Sequence, residues 1–256
     1  MEYLNNGIRT IEINEVLDYS DCSMKYYYKY IHEESKGKYA DISEKYDKDI
    51  KTTLYSFFIN RKLKNEYKLN VLKKSWGSNW IGSKTSKELI FETTGIKSKT
   101  EMYRQKGINT IYDVYNYFKD KDIEIIAINE PYKIKMGSIE VKGKWDLIVR
   151  SIVSDNVIIF DFRTNEINEF DIKYNIKTTA GALAFEKQFG RREDKLIYYD
   201  LDKVKIYSIT RDELDVEMYK KTTESIVKGI ENDIFYIKPN EKCKLCQYKN
   251  YCFNSK

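Results

Sequence analysis

Histidine is nearly absent from this 256-residue chain, which carries only His32. That excludes a His-rich metal site and argues against a His-centred nucleophilic triad. Within "KYIHEE", His32 reads as a surface residue. Proline is almost as scarce, with 2 residues, and glycine numbers 11, so no Pro-rich or Gly/Ser-rich linker divides the chain. No apolar run approaches the length that spans a bilayer. The opening "MEYLNNGIRTIEIN" lacks the basic and apolar regions of a signal peptide. The expectation is a cytoplasmic protein.

What is present fits a globular domain with ample core: 41% hydrophobic and 33% charged residues. The net charge of +5 and pI near 8.7 are compatible with a nucleic-acid partner, although most Lys read as solvated surface. Tyr is abundant, at 23 residues. Tyr can stack on bases, but an AT-rich genome favours the same set of Lys, Ile, Asn and Tyr and takes the larger share of the explanation.

The chain changes character once. Residues 14–34 read as two short helices, with Asn14 as cap of the first and Ser20 or Asp21 of the second. Ile42, Tyr46, Ile50, Leu54, Phe57 and Phe58 recur at helical spacing and predict one long amphipathic helix over 42–74. Residues 75–99 read as loops, and 100–119 as helix. From 122 onward the pattern is strand-like: "IEIIAINEPYKIKM", "SIEVKGKWDLIVR" and "NVIIFDF" predict a three-strand meander with turns at 137–138 and 154–156. Residues 176–190 predict a helix with a Gly stop. "KLIYYDLDKVKIYSI" follows as a strand pair or one long strand, and 210–232 as a last helix capped by Thr210. The expected class is α/β in a single domain over 1–256. It divides into a mainly helical part (1–120), a mixed-sheet core (121–210), and a helix with a cysteine tail (211–256).

All four cysteines carry information. Cys243, Cys246 and Cys252 form a C-x2-C-x5-C tail, and Cys22 lies at the other end of the chain. Structural disulfides are disfavoured in a reducing compartment, so clustered Cys point to metal ligation or redox chemistry. Four thiolates suit either zinc or a [4Fe–4S] cluster. Such a site would close a loop of about 220 residues and join the N- and C-terminal segments.

The stretch "VIIFDFRTNE" (157–166) is a buried-strand run that ends with Asp161 and Arg163 two apart, hence on one face. Together they could form a metal-and-charge site or a plain salt bridge.

Several segments together resemble the RecB-like PD-(D/E)XK nucleases, in their iron–sulfur members. "VLDYSDCSMKYYYKY" is similar to that family's Cys-plus-Tyr-rich opening. Gly143 to Asp146 resembles its G-x-x-D, "IIFDFRT" its D-[YF]-K-T, "ALAFEK" the following helix, and "CKLCQYKNYC" the cysteine tail of AddB-type subunits and of CRISPR-associated RecB-like exonucleases. The resemblance implies a restriction-endonuclease-like mixed sheet flanked by helices. It also implies a [4Fe–4S] cluster on Cys22, Cys243, Cys246 and Cys252, and Mg or Mn held by Asp146 and Asp161.

The chain departs from this pattern at specific places. The family's catalytic Lys is here Arg163, a planar cation that does not deprotonate. A G-x-x-x-H helix pattern aligns with Asp47 and Lys51, and a Q-x-x-x-Y pattern with Lys177 and Gly181. Lys177 or Lys51 could supply a displaced Lys. Three readings follow. One is a nuclease fold with lost or impaired catalysis, serving as a DNA-binding protein or assembly subunit, with Lys51, Arg163 and Lys177 lining a cationic pocket. The second is an active Mg- or Mn-dependent nuclease. The third is a protein-interaction scaffold.

Overall fold

A computed structural model of the chain describes residues 8–33, 42–65, 68–82, 96–164 and 172–254. Its centre is a six-stranded mixed sheet in the order β1-β3-β4-β5-β6, with β2 also pairing β3. The strands are β1 (Arg9–Glu12), β2 (Ile123–Met136), β3 (Ile139–Ser151), β4 (Val157–Arg163), β5 (Lys195–Asp200) and β6 (Lys205–Ile209). β2–β3, β3–β4 and β5–β6 are antiparallel, whereas β1–β3 and β4–β5 are parallel. The meander forms as the alternation predicts. Gly137 takes the positive φ of 56° that turns β2 into β3.

Side-chain alternation along β4 sorts the core into two layers. Phe160 and Phe162 join the layer built with α3 (Ile42–Lys62), α4 (Leu69–Gly82) and α5 (Ile96–Phe118). Val157 and Ile159 face the other layer, with α1 (Ile13–Asp21), α6 (Ile176–Phe189) and α7 (Glu213–Glu231). Helices therefore cover both faces of the sheet. No helix among the described residues is long and apolar enough to cross a membrane.

The predicted 42–74 helix is two helices, α3 and α4, and the loop expected from residue 75 begins as α4, which runs to Gly82. "SWGSNWIG" has weak helix propensity. Trp76 and Trp80, one turn apart, are nevertheless buried and stacked with ring centroids 5.3 Å apart, so packing overrides propensity there. Residues 83–95 of the 75–99 prediction lie outside the described residues, and 96–99, expected as loop, form the start of α5 at Ile96. Three caps also differ from expectation. α1 is capped by Glu12, two residues before the expected Asn14, with Glu15 accepting from the Glu12 N–H at 3.3 Å. α7 is capped by Asp212, not Thr210, in a reciprocal pair with Asp215. The second short helix, α2 (Ser23–Tyr26), is capped by Cys22 rather than Ser20 or Asp21 and continues as a π turn, Tyr27–Ile31. His32 is half-buried against the rings of Tyr27, Tyr28 and Tyr251, not free at the surface. The strand-pair alternative holds for β5 and β6. The Gly stop also holds, with Gly190 in the left-handed region at φ 69°.

Candidate functional site

The ladder between β3 and β4 runs from Arg150↔Val157 to Leu147↔Phe160. Beyond that pair the strands part, and Asp146 and Asp161 sit at the opening. There the Asp146 carboxylate accepts the Phe162 N–H at 2.9 Å, a side chain replacing a ladder carbonyl. Its other oxygen accepts the Tyr55 hydroxyl of α3 at 2.6 Å. Asp161 pairs with Arg163, its neighbour two residues on, as the shared strand face requires.

Lys177, on the first turn of α6, closes the group. Its Nζ lies 2.6 Å from Asp161 Oδ1 and 3.4 Å from Asp146 Oδ2. Asn175 caps α6 by accepting the Thr178 N–H at 3.0 Å, and the same side-chain oxygen accepts from Arg163 at 3.1 Å. All four carboxylate oxygens of Asp146 and Asp161 therefore already accept at least one hydrogen bond. Lys51 pairs with Asp47 one turn earlier on α3, at 3.0 Å, and Thr164 donates to the same Asp47 oxygen at 2.7 Å.

The electrostatics follow from this packing. Burial acts to raise the Asp161 carboxyl, but Arg163, Lys177 and Lys51 outweigh it and hold the group well below the usual carboxylate range. Burial acts to lower Lys177 and Arg163. The carboxylates of Asp146 and Asp161 prevail and keep both cations above their ordinary values. Burial, with Asp146 adding to it, raises the Tyr55 phenol, which stays a neutral donor.

The structure thus brings together Asp146, Asp161, Arg163 and Lys177, with Lys51 near enough to act on Asp161. It does not make the pocket the surplus of positive charge expected from Lys51, Arg163 and Lys177, because each of these cations faces a carboxylate. Gly181 serves packing: its carbonyl accepts the Trp145 indole N–H at 2.9 Å, and a Cβ there would press on that ring. Sequence reasoning missed Tyr55 and Asn175. The signals were present: Tyr55 lies four residues after Lys51 on one helix face, and Asn175 is a cap-type residue just before the helical run.

It also missed Arg211, a buried guanidinium that holds the segment before α6. Arg211 donates to the Ile172 and Lys173 carbonyls at 2.8 and 2.7 Å, to Thr178 at 2.8 Å and to Tyr198 at 2.7 Å.

The four cysteines lie at a second place. Cys22 follows α1, Cys243 and Cys246 lie in and just after the 3-10 turn Glu241–Leu245, and Cys252 is on α8 (Lys249–Asn254). All four line one pocket. Burial pushes the Cys252 thiol up to about 11, and the three other cysteines add to the shift. The Asn240 N–H points at Cys243 Sγ, 3.4 Å away. As they stand, no three His, Cys, Asp or Glu side chains among the described residues are placed to hold a metal ion.

A mixed sheet covered by helices on both faces, with two Asp converging where its central strands part, defines a restriction-endonuclease-like protein. The chain belongs to the PD-(D/E)XK nuclease superfamily, whose family profile matches residues 14–253. A solved structure from Eubacterium rectale named "Putative exonuclease" shares the fold at a TM-score of 0.53 and 12% identity, over 100% of this chain and 94% of that one. A second, named SSO0001, aligns over 100% of this chain and 90% of its own at 12% identity, but its TM-score of 0.39 adds nothing to the assignment. No curated protein matches the chain.

Proposed function

We propose that this protein is a nuclease-fold DNA-binding protein or assembly subunit whose metal centre has been replaced by an internal cation. The observation that carries the reading is Lys177, whose ammonium lies between Asp146 and Asp161. In the superfamily a divalent metal bridges carboxylates of this kind and activates water. Here Lys177 and Arg163 neutralise both acids from within. A metal would have to displace a buried ammonium while facing Arg163 and Lys51 as well. The superfamily assignment and the positive net charge support a DNA partner.

One observation favours a second reading. Lys177 reaches both acids from α6, as a relocated catalytic Lys would, so an active Mg- or Mn-dependent nuclease is the alternative.

We further propose that Cys22, Cys243, Cys246 and Cys252 hold a [4Fe–4S] cluster, with zinc as the alternative. Four cysteines lining one pocket and a backbone N–H aimed at Cys243 support the reading, and the thiols would have to draw closer together to ligate either group. With all four positions taken by protein thiolates, the group would supply a structural tie and offer no open position to substrate.

The deciding experiment is cleavage of labelled single- and double-stranded DNA by anaerobically purified protein, with Mg²⁺, Mn²⁺ or EDTA, beside Asp161→Ala. No metal-dependent cutting by the wild type is expected. Cutting that needs metal and disappears in Asp161→Ala would overturn the first reading in favour of the second.

A further inference from the structure

We propose that the face around the cysteine pocket binds single-stranded nucleic acid, with Lys238 and Lys249 on phosphates and Phe253 stacked on a base. This names the substrate class for the DNA-binding reading and rests on it.

Three observations support the inference. The first is where the charge lies. Residues 234–256 hold five Lys against one Glu, which is four of the chain's five net positive charges. The preceding residues are close to neutral, and the old catalytic pocket is balanced by its own carboxylates. The surplus that would attract a polyanion is thus in the C-terminal segment.

The second is that part of this charge is free. Lys238 and Lys249 both line the cysteine pocket and are exposed, and neither makes an ion pair among the described residues. Lys25 lines the same pocket, but its charge is spent on the buried Asp18, at 2.8 Å. Lys244 is likewise held by Glu241.

The third is apolar surface on the same pocket as the free cations. Phe253 is 52% exposed and Ile237 49% exposed, and both line the pocket. Tyr236, beside Ile237 in the chain, is 56% exposed. An exposed aromatic on the same pocket as unpaired ammonium groups suits unstacked bases on a phosphate backbone. A duplex hides its base faces and offers such a ring nothing to stack on. An acidic protein surface would use the lysines but not the ring.

The test is fluorescence anisotropy of a labelled oligothymidylate across a salt titration, using full-length, anaerobically purified protein. Phe253→Ala should weaken binding about fivefold or more. The double variant Lys238→Ala/Lys249→Ala should flatten the log–log salt dependence by about 1.4, from roughly 0.7 per phosphate contact. All three side chains are exposed, so both variants should melt like the wild type, and circular dichroism checks this. Absence of binding, an affinity indifferent to both variants, or tighter binding to a duplex of equal length would overturn the inference. Metal-dependent cleavage would sink the proposed loss of catalysis and leave these results standing. Undiminished binding in the variants would sink only the surface proposed here.

Discussion

Lys177 is the residue on which the site turns. Its side chain is only 18% exposed, and it faces two buried carboxylates. Removing one partner from such a group leaves uncompensated charge, a loss of about 3–5 kcal/mol. Lys177→Met should therefore lower the urea midpoint markedly at neutral pH. The same variant clears the space between Asp146 and Asp161. Added Mg²⁺ should then raise its melting temperature, whereas the wild type should not respond. A wild-type response equal to that of the variant would show that the ammonium does not block metal.

The pH dependence belongs to the same residues. The folded pKa of Asp161 is depressed, so its contribution is present above the unfolded value of about 3.9 and is lost as pH falls through the folded one. The folded pKa of Lys177 is raised, so its contribution is complete below about 10.4 and is lost as pH rises through the folded value. Unfolding free energy should thus hold a plateau between about pH 4 and pH 10 from this pair. Asp161→Asn should remove part of the acid-side fall in a urea series.

At the scale of elements, the site depends on how α6 is held against β2 and β3. Trp145 on β3 donates to the Gly181 carbonyl, and the Tyr132 hydroxyl on β2 reaches the Lys177 carbonyl at 3.4 Å. Gly143, three residues before Asp146, lies directly under the Tyr132 ring, and a Cβ there would collide with it. Gly143→Ala should cost about 1–3 kcal/mol by overpacking, read as a lower urea midpoint with an unchanged slope. An unchanged midpoint would show that the ring moves aside freely. The glycine of the G-x-x-D pattern thus has a packing role here whether or not a metal binds.

On the scale of the whole molecule, the α1–α2 region meets the segment after α7. Tyr19 donates to the Ile234 carbonyl at 2.6 Å, Ser23 exchanges hydrogen bonds with Tyr236, and Tyr28 reaches the Tyr251 carbonyl at 3.1 Å. A group ligated by Cys22 and the tail cysteines would close a loop of about 220 residues. The chain-entropy effect would be on the order of 5 kcal/mol. Removing iron or zinc with a chelator should lower the melting temperature of the entire domain in one cooperative transition, and Cys22→Ser should mimic it. A melt indifferent to chelation in protein shown to contain metal would remove the tie.

The sequence by itself determined what is local. Alternating side chains placed Asp161 and Arg163 on one face of β4, periodicity marked α3 and α6, and Gly190 marked the stop of α6. These follow from backbone geometry within a few residues. It also carried enough pattern around Asp146 and Asp161 to indicate the nuclease fold before any distance was known. Only the tertiary structure decided which charges meet. Tyr55 lies 91 residues from Asp146 and Lys177 lies 31 away, and no local rule pairs them. α4 formed against its propensity because Trp76 and Trp80 found a core to fill. The pocket expected to be cationic proved balanced because Asp47, Asp146 and Asp161 each took a partner. Charge balance in a folded protein is set by separations of a few ångströms, and those exist only after the helices have packed on the sheet.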